Sequence, residues 1–419
     1  MNNSLSLIET PDFTGFPNLE KLVVKGCMRL IKVHPSVVVH KRLTLLDLEG
    51  CKNLSSLPKK FEMESLEILN LSNCSKIKRI PEFMGNMERL SKLHLDGTAI
   101  TKLPSSVEHV TNLAALHLRD CKNLVCLPSN ICNFKLLKEL NVAGCSKLDN
   151  LPENLWNVVS LEELDLSGIA LRKPPVLIVC LRNLRVLSLM GCKVPLPRRH
   201  PNPVNLLLPY CLKLLSLMGC KLPLPRRYPN PVNLLLPYRL KVLFLMGCKL
   251  PLPRRKPNPV SLLLPYLPNL CSLTRLNLSN CDLQTIPNDI GCLSSLEYLN
   301  LSENSFDCLP KSIIQLSKLK TILLKNCTRL RSLPQLPSST RSVFAEGCTL
   351  LEILPKTLKP AKSNSLFLYL FNCFELADNQ GIMFFRMLNK AAQLSLSLSL
   401  SLSLYIYIYI CMYVCIDKF

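Results

Sequence analysis

One short phrase of alternating residues recurs along most of the chain. In the stretch from Leu66 to Cys74, the residues Leu69 and Leu71 alternate with their neighbours at the period of two that is typical of a β-strand. Closely similar phrases are LTLLDLEGC, NLAALHLRDC and SLTRLNLSNC. The pattern predicts many short strands, each with one apolar face directed at a shared core.

The spacing of these phrases defines the architecture. Their first residues lie 23 or 24 positions apart, with spacings of 28, 28 and 33 between Leu184 and Leu273 and of 21 at the end. A period of 20–29 residues with this consensus is typical of leucine-rich repeats. We therefore predict an α/β repeat fold, a solenoid with a curved, parallel, concave β-sheet and an irregular or short-helical convex side. The first residues are Leu19, Leu43, Leu66, Leu90, Leu113, Leu137, Leu161, Leu184, Leu212, Leu240, Leu273, Leu296, Leu319 and Thr340.

We call each repeat unit of the solenoid a coil. Many coils close with a leucine or isoleucine followed by proline, as in Leu103-Pro104 and Leu309-Pro310. Proline lacks the N–H that a sheet ladder needs, so this position is expected on the outer side of the solenoid.

A cysteine ends most of the phrases. A buried free cysteine behaves as a small apolar residue with a weak S–H donor, and coils about 5 Å apart do not suit disulfides. Because the column has no closely paired cysteines, we predict a turn residue rather than a metal ligand. Thr98, Ile169 and Asn304 take this place in three coils, and the cysteines are Cys27, Cys51, Cys74, Cys121, Cys145, Cys192, Cys220, Cys248, Cys281, Cys327 and Cys348.

Composition narrows the possible functions. The 419 residues contain only 13 glycines, and the sequence has neither GxxxxGK[ST] nor GxGxxG. We find no catalytic constellation, so we predict no enzyme, no cofactor and no metal site. The net charge of +22 leaves nucleic-acid binding open, but basic residues spread over most repeats favour a cationic solvated surface.

The concave face is where curved solenoids bind their ligands, and its variable positions are therefore candidates for protein binding. His94 and His117, which occupy the same column in adjacent coils, could bind a metal ion, although an ordinary polar column is the favoured interpretation. The methionines in the set could adapt to varied partner surfaces. The candidates are Lys92, His94, Asp96, His117, Arg119, Glu139, Asn141, Glu163, Asp165, Met190, Met218, Phe244 and Met246.

Three nearly identical copies of one coil occupy residues 187–266, and each carries the proline-rich segment PLPRRxPNP. The paired arginines could form a basic ridge that docks an acidic partner, or they could belong to a solvated outer loop multiplied by duplication. They are Arg198, Arg199, Arg226, Arg227, Arg254 and Arg255.

Several longer phrases are specific to one family. SLIETPDFTGFPNLEKLVVKGC, GCKNLxxLP, LDGTAI and LPSSVEHVTNL resemble the repeats of plant intracellular immune receptors that combine TIR, nucleotide-binding and leucine-rich-repeat domains. The resemblance covers roughly residues 5–390 and does not include the TIR or nucleotide-binding domain. It implies a solenoid over residues 1–355 with about fourteen repeats, and the truncated start of a β-sandwich domain over residues 356–393.

Residues 394–419 form a low-complexity tail of Leu-Ser and Tyr-Ile repeats. We expect this tail to be disordered or to be translated microsatellite sequence. A membrane span is the alternative, because the segment is uncharged and long enough, but strict alternation of residues is unlike a spanning helix.

The resemblance implies a protein-recognition module in plant innate immunity. Its partners would be a pathogen effector or a guarded host protein and, in an intact receptor, its own nucleotide-binding switch domain. The expected location is cytoplasmic, and nuclear as a further option. The alternatives are an extracellular repeat receptor, suggested by the sequons at Asn70, Asn277 and Asn300, a basic nucleic-acid binder, and a non-functional product.

Overall fold

The computed structural model describes residues 2–85, 87–169, 178, 180–192, 269–355, 366–373 and 375–376. Over these ranges thirteen strands of three residues each join in one parallel sheet, and two strands of two residues form a second, smaller sheet. In chain order the strands are β1 (Lys21–Val23), β2 (Leu45–Asp47), β3 (Lys60–Phe61), β4 (Ile68–Asn70), β5 (Glu82–Phe83), β6 (Lys92–His94), β7 (Ala115–His117), β8 (Glu139–Asn141), β9 (Glu163–Asp165), β10 (Val186–Ser188), β11 (Arg275–Asn277), β12 (Tyr298–Asn300), β13 (Thr321–Leu323), β14 (Ser342–Phe344) and β15 (Phe367–Tyr369).

The middle residue of every strand in the large sheet is apolar and buried. Leu93 of β6 pairs in register with Leu116 of β7, and Leu140 of β8 continues the same row. Because successive side chains of a strand point to opposite faces, the first and third residues lie on the other side of the sheet. One coil alone cannot cover its apolar edge, so each coil is stabilised by its neighbours.

Short 3₁₀ helices lie on the opposite side of several coils. Proline stands immediately before four of them, at Pro104, Pro152, Pro287 and Pro310. The predicted solenoid with a short-helical outer side, and the predicted outer position of proline, are therefore confirmed. The helices are Pro35–Val39, Ser105–His109, Ile131–Asn133, Glu153–Asn157, Asn288–Cys292 and Lys311–Gln315.

A residue with positive φ stands at the end of each strand phrase, one position before the cysteine column. Gly50 has φ of 75° and Gly97 has φ of 67°, while Asn73 and Glu303 adopt 62° and 60°. This left-handed conformation costs an ordinary L-residue about 1–2 kcal/mol, and glycine adopts it freely. The Gly-Cys and Asn-Cys pairs of the sequence therefore mark one sharp turn per coil.

The cysteine column satisfies backbone carbonyls of the preceding coil. The Sγ of Cys145 donates to the Leu118 carbonyl at 3.0 Å, and the Sγ of Cys281 donates to the Leu189 carbonyl at 3.1 Å. Asn304 does the same with its amide, which donates to the Leu278 carbonyl at 2.9 Å. These bonds, next to the residue of positive φ, confirm the prediction of a turn residue.

Two parts of the predicted repeat array are wrong, namely the neighbours of one coil and the position of the last coil. The coils that begin at Leu212 and Leu240 were expected between those of Leu184 and Leu273, but β10 pairs directly with β11, and the Leu189 N–H donates to the Asn277 carbonyl at 2.9 Å. The two coils share the same strand phrase, so they match as well as sequence neighbours do. Periodicity identifies coils but does not determine which coils pair. Residues 193–268 lie outside the described residues.

The second correction concerns the end of the array. Residues 366–373, assigned above to a following β-sandwich, add strand β15 in parallel to β14. Cys373 occupies the cysteine column and donates its S–H to the Ala345 carbonyl at 3.0 Å. The sequence carried this signal, because Leu368, Leu370 and Cys373 repeat the strand phrase. The solenoid therefore extends one coil beyond residue 355, and residues 377–419, with the low-complexity tail, lie outside the described residues.

We expect Gly50→Ala to lower the free energy of unfolding by about 1–2 kcal/mol, because a Cβ is strained at its positive φ. Its Cβ would meet only ordinary contacts at 3.6 Å or more, so strain alone is tested. Urea unfolding measures the change. Gly15→Ala is the control, since nothing lies within 4 Å of its Cβ and its φ is not positive. Equal effects at both glycines would contradict the assignment.

Cys145→Ala is expected to destabilise the protein by about 1 kcal/mol, because the buried Leu118 carbonyl loses the thiol as its second donor and keeps only the Cys121 N–H. The exposed Cys126 provides the control, and Cys126→Ala should stay within about 0.5 kcal/mol of the parent. Both variants are compared by urea unfolding near neutral pH. Indistinguishable midpoints would show that the S–H···O bond does not stabilise the stack.

Stability should also decrease in alkali. Burial raises the pKa of the Cys145 thiol from its ordinary value near 9 to about 12. The folded state therefore keeps a proton that the unfolded chain loses, so stability is full below the unfolded pKa and is lost as pH rises toward the folded one. Urea midpoints at about pH 8 and about pH 10 should diverge more in the parent than in Cys145→Thr. Cys126→Thr should behave as the parent does, and a parallel decline in all three proteins would contradict this.

Candidate functional site

We define the concave face as the first and third residues of each strand in the large sheet. These positions alternate with the buried apolar middle residues, so their side chains are not required by the core. In β6 to β9 the first residues are exposed, apart from the buried Ala115, and the third residues are half-buried. The face is therefore a set of variable side chains held on a regular backbone.

Nine of the predicted binding residues lie together on this face or directly beside it. Seven are on the four neighbouring strands β6 to β9, and Asp96 and Arg119 follow β6 and β7 closely. The seven are Lys92, His94, His117, Glu139, Asn141, Glu163 and Asp165. Because the strands pair in register, their side chains form two columns across the sheet.

His94 and His117 are paired directly across neighbouring strands. Their Nδ1 atoms are 3.0 Å apart, and the ring centroids are separated by 4.6 Å with an interplanar angle of 74°. At this distance one Nδ1 carries a hydrogen and the other accepts it. The Nε2 of His117 lies 3.2 Å from Oε2 of Glu139, so a neutral His117 that donates from Nε2 leaves its Nδ1 as the acceptor.

Asp96 completes a compact group with the two histidines. Its Oδ1 accepts the backbone N–H of Arg119 at 2.7 Å. Ligand atoms from His94, Asp96 and His117 all lie within 4.8 Å of one another. Burial, followed by the charge of His117, lowers the pKa of His94, and burial raises the pKa of Asp96. These are the residues of the described chain that could hold a metal ion.

The same column has a different role in other coils. In six of them the third strand residue is Asp or Asn, and its Oδ1 accepts the backbone N–H two residues ahead. The Ala143 nitrogen lies 3.0 Å from Oδ1 of Asn141, and the Ser167 nitrogen lies 2.9 Å from Oδ1 of Asp165. Such Asx turns close the strand. A histidine at this position replaces the Asx side chain and directs an imidazole toward the neighbouring coil instead.

An aromatic patch at the C-terminal end of the face was missed by sequence reasoning. Phe344 and Tyr369 stack with centroids 4.3 Å apart and ring planes within 4° of parallel. The Nζ of Lys325 lies 5.4 Å from the Phe344 centroid, and Lys325 forms an ion pair with Glu346 at 3.0 Å. Phe344 and Tyr369 occupy the same column as His94, which was the available signal.

The remaining candidates are placed only in part. Met190 lies just after β10 and is 46% exposed, so it can contact a partner. Met218, Phe244, Met246 and the six arginines of the predicted basic ridge lie outside the described residues.

Over the described residues, none of the helices combines the length and the apolar character required to cross a membrane.

Comparisons with known proteins place the repeats. Residues 23–149 match a family model described as leucine-rich repeat region, and residues 271–330 match one described as leucine rich repeat. The chain is 34% identical over 346 residues to TMV resistance protein N from Nicotiana glutinosa, which covers 82% of this chain and 25% of that protein. It is 38% identical over 107 residues to disease resistance protein RPP2A from Arabidopsis thaliana, covering 26% of this chain and 8% of that protein.

The chain thus spans a quarter or less of the length of these two relatives. Among solved structures, the glycosylated Toll–Spatzle complex from Drosophila matches with a TM-score of 0.51 and 18% identity, over 80% of this chain and 39% of that chain. This likeness supports the fold alone. The parallel sheet, the two family models and the relatives agree, and the chain is a leucine-rich-repeat solenoid similar in sequence to plant disease resistance proteins.

Proposed function

We propose that this chain is the protein-recognition module of a plant intracellular immune receptor, and that the concave face binds a pathogen effector or a guarded host protein. The observation that carries the proposal is the cluster of nine mixed polar residues on and beside β6 to β9, whose side chains the core does not require. The similarity to TMV resistance protein N over 82% of the chain supplies the biological setting.

The charges of this cluster favour a protein over a nucleic acid. Glu139 and Glu163 are exposed neighbours in the first column, with Asp165 beside them, and Lys92 and Arg119 are exposed nearby. A nucleic-acid surface would present mainly positive charge to the phosphates. Adjacent patches of opposite sign suit a partner protein with a complementary pattern, and such patterns give specificity and fast association.

The sequons support an intracellular reading. Each asparagine ends a strand of the large sheet, and its Oδ1 accepts the backbone N–H two residues ahead, at 3.0 Å for Asn70, 3.1 Å for Asn277 and 3.0 Å for Asn300. Glycosylated asparagines belong in accessible surface loops, whereas these three are half-buried on the sheet and close turns.

The resemblance to plant immune receptors suggests a second contact, between the repeats and the nucleotide-binding switch domain. In an intact receptor the repeats would hold the nucleotide-binding switch domain inactive, and we place this restraint in the same cytoplasmic or nuclear setting. Both matching family models describe repeats and not catalytic domains, so recognition rather than chemistry is the proposed role.

The experiment reverses charges without changing the net charge. Lys92→Glu combined with Glu163→Lys alters the concave face, and Lys102→Glu combined with Glu153→Lys makes the same change at exposed residues away from it. Each variant is tested in leaf cells by luciferase complementation against a panel of cloned pathogen effectors. The concave variant should bind an effector at least about tenfold more weakly than the parent, and the control variant should bind as the parent does.

Equal loss in the two variants would contradict a concave binding site, as would full binding by the concave variant. Thermal unfolding of the purified proteins accompanies the assay, so that loss of binding is separated from loss of fold. A complex with nucleic acid that survives physiological salt in the parent would favour the basic-binder alternative instead.

A further inference from the structure

We propose that His94, His117 and Asp96 form a binding site for a divalent transition-metal ion of the zinc class on the concave face. This goes beyond protein recognition and departs from the expectation drawn from sequence, which favoured an ordinary polar column. The three residues come from the neighbouring coils of β6 and β7, and they converge only because those strands pair in register.

The distances fit chelation. Two imidazole nitrogens bound to one zinc ion, each at about 2.0–2.1 Å, lie on the order of 3 Å apart. The Nδ1 atoms of His94 and His117 are already 3.0 Å apart, so an ion can replace the hydrogen between them with little movement. The carboxylate of Asp96 lies within the same 4.8 Å group, and it supplies a third ligand.

Surrounding contacts orient two of the ligands. Glu139 Oε2 is 3.2 Å from the Nε2 of His117, and a carboxylate that accepts this N–H fixes the tautomer whose Nδ1 lone pair can bind metal. One oxygen of Asp96 accepts the Arg119 N–H at 2.7 Å, so the carboxylate is held beside the histidines. The other oxygen is the ligand that we assign.

Metal binding requires a change of tautomer at His94. A ligating imidazole must be unprotonated at the bound nitrogen. With Nε2 of His117 donating to Glu139, the 3.0 Å contact between the Nδ1 atoms places one hydrogen on Nδ1 of His94. On binding, the ion takes the place of this hydrogen, and His94 carries its hydrogen on Nε2 instead.

The choice of ion follows from the donor set. Two imidazoles and one carboxylate suit zinc and its neighbours, whereas calcium and magnesium prefer oxygen ligands only. Three protein ligands leave one position of a tetrahedral ion open toward the concave side. The free cysteines of the column are directed at backbone carbonyls instead, as Cys121 is toward Leu95 at 3.1 Å.

A further observation concerns the column to which the histidines belong. In six coils the third strand residue is Asp or Asn and closes its own turn through Oδ1, as Asn141 and Asp165 do in the two coils that follow. His94 and His117 are the third residues of adjacent strands, and their Nδ1 atoms contact each other instead. Closing a turn does not require two neighbouring imidazoles whose nitrogens meet.

The test uses the full, tag-free chain with its exposed thiols alkylated. Zn²⁺ is titrated by calorimetry, and Co²⁺ is titrated in parallel for its visible absorption. We expect one strong site per chain. His94→Gln and His117→Gln should each weaken it on the order of 100-fold or more, and Glu139→Gln on the order of tenfold. Asp96→Asn should also weaken binding while its amide oxygen can still accept the Arg119 N–H.

His109→Gln is the matched control, because His109 is exposed at the end of an outer 3₁₀ helix, and this variant should bind as the parent does. Two results would overturn the proposal. One is Zn²⁺ affinity that is unchanged in His94→Gln and His117→Gln. The other is a thiolate-to-cobalt charge-transfer band in the parent, which would place the ion on cysteine. Circular dichroism and urea midpoints confirm that each variant is folded.

Discussion

Each strand of the large sheet is followed by a sharp turn, and in most coils a buried carbonyl oxygen of this turn also accepts a hydrogen bond from the next coil. A thiol from the column residue does so in most coils, and the amide of Asn304 does so in another. Ile169 has no donor in its side chain, and there the Val142 carbonyl of the preceding coil is paired by the Cys145 N–H at 3.2 Å. The rest of the structure depends on this turn, because the turn fixes the direction of the strand and the strand fixes the concave face.

The interior of the solenoid could be predicted from the sequence almost completely. Leucines at fixed spacing, Gly-Cys turns and Leu-Pro pairs each have one physical cause, and each is recognisable in the sequence of a single coil. Pairing between coils could not be read in the same way. Every coil presents the same apolar edge, so nothing in the period identifies the partner of β10. Strand β11 pairs with it although Arg275 lies 89 positions after its partner Val186. Cys373 was missed because resemblance to a following domain outweighed the strand phrase that it completes.

For the candidate site, the positions of the residues could be predicted from the sequence, whereas the directions of their side chains could not. The columns of the concave face follow from register alone, which is why His94, His117, Glu139 and Asp165 could be listed from the sequence and are neighbours in the structure. What register does not give is side-chain direction. The convergence of two Nδ1 atoms and the stacking of Phe344 on Tyr369 depend on χ angles. Residue types and spacing leave those angles open.

The direct pairing of β10 with β11 has a consequence for how such arrays change over generations. The two coils pair directly in the sheet, and the three near-identical copies of one unit, residues 187–266, begin within β10 and end before β11. Repeat units can therefore be duplicated in the sequence at this seam, the junction of β10 and β11, while the strands on either side keep their partners. An array of this kind can therefore change its length in sequence at one seam while β9 and β12 keep their partner strands.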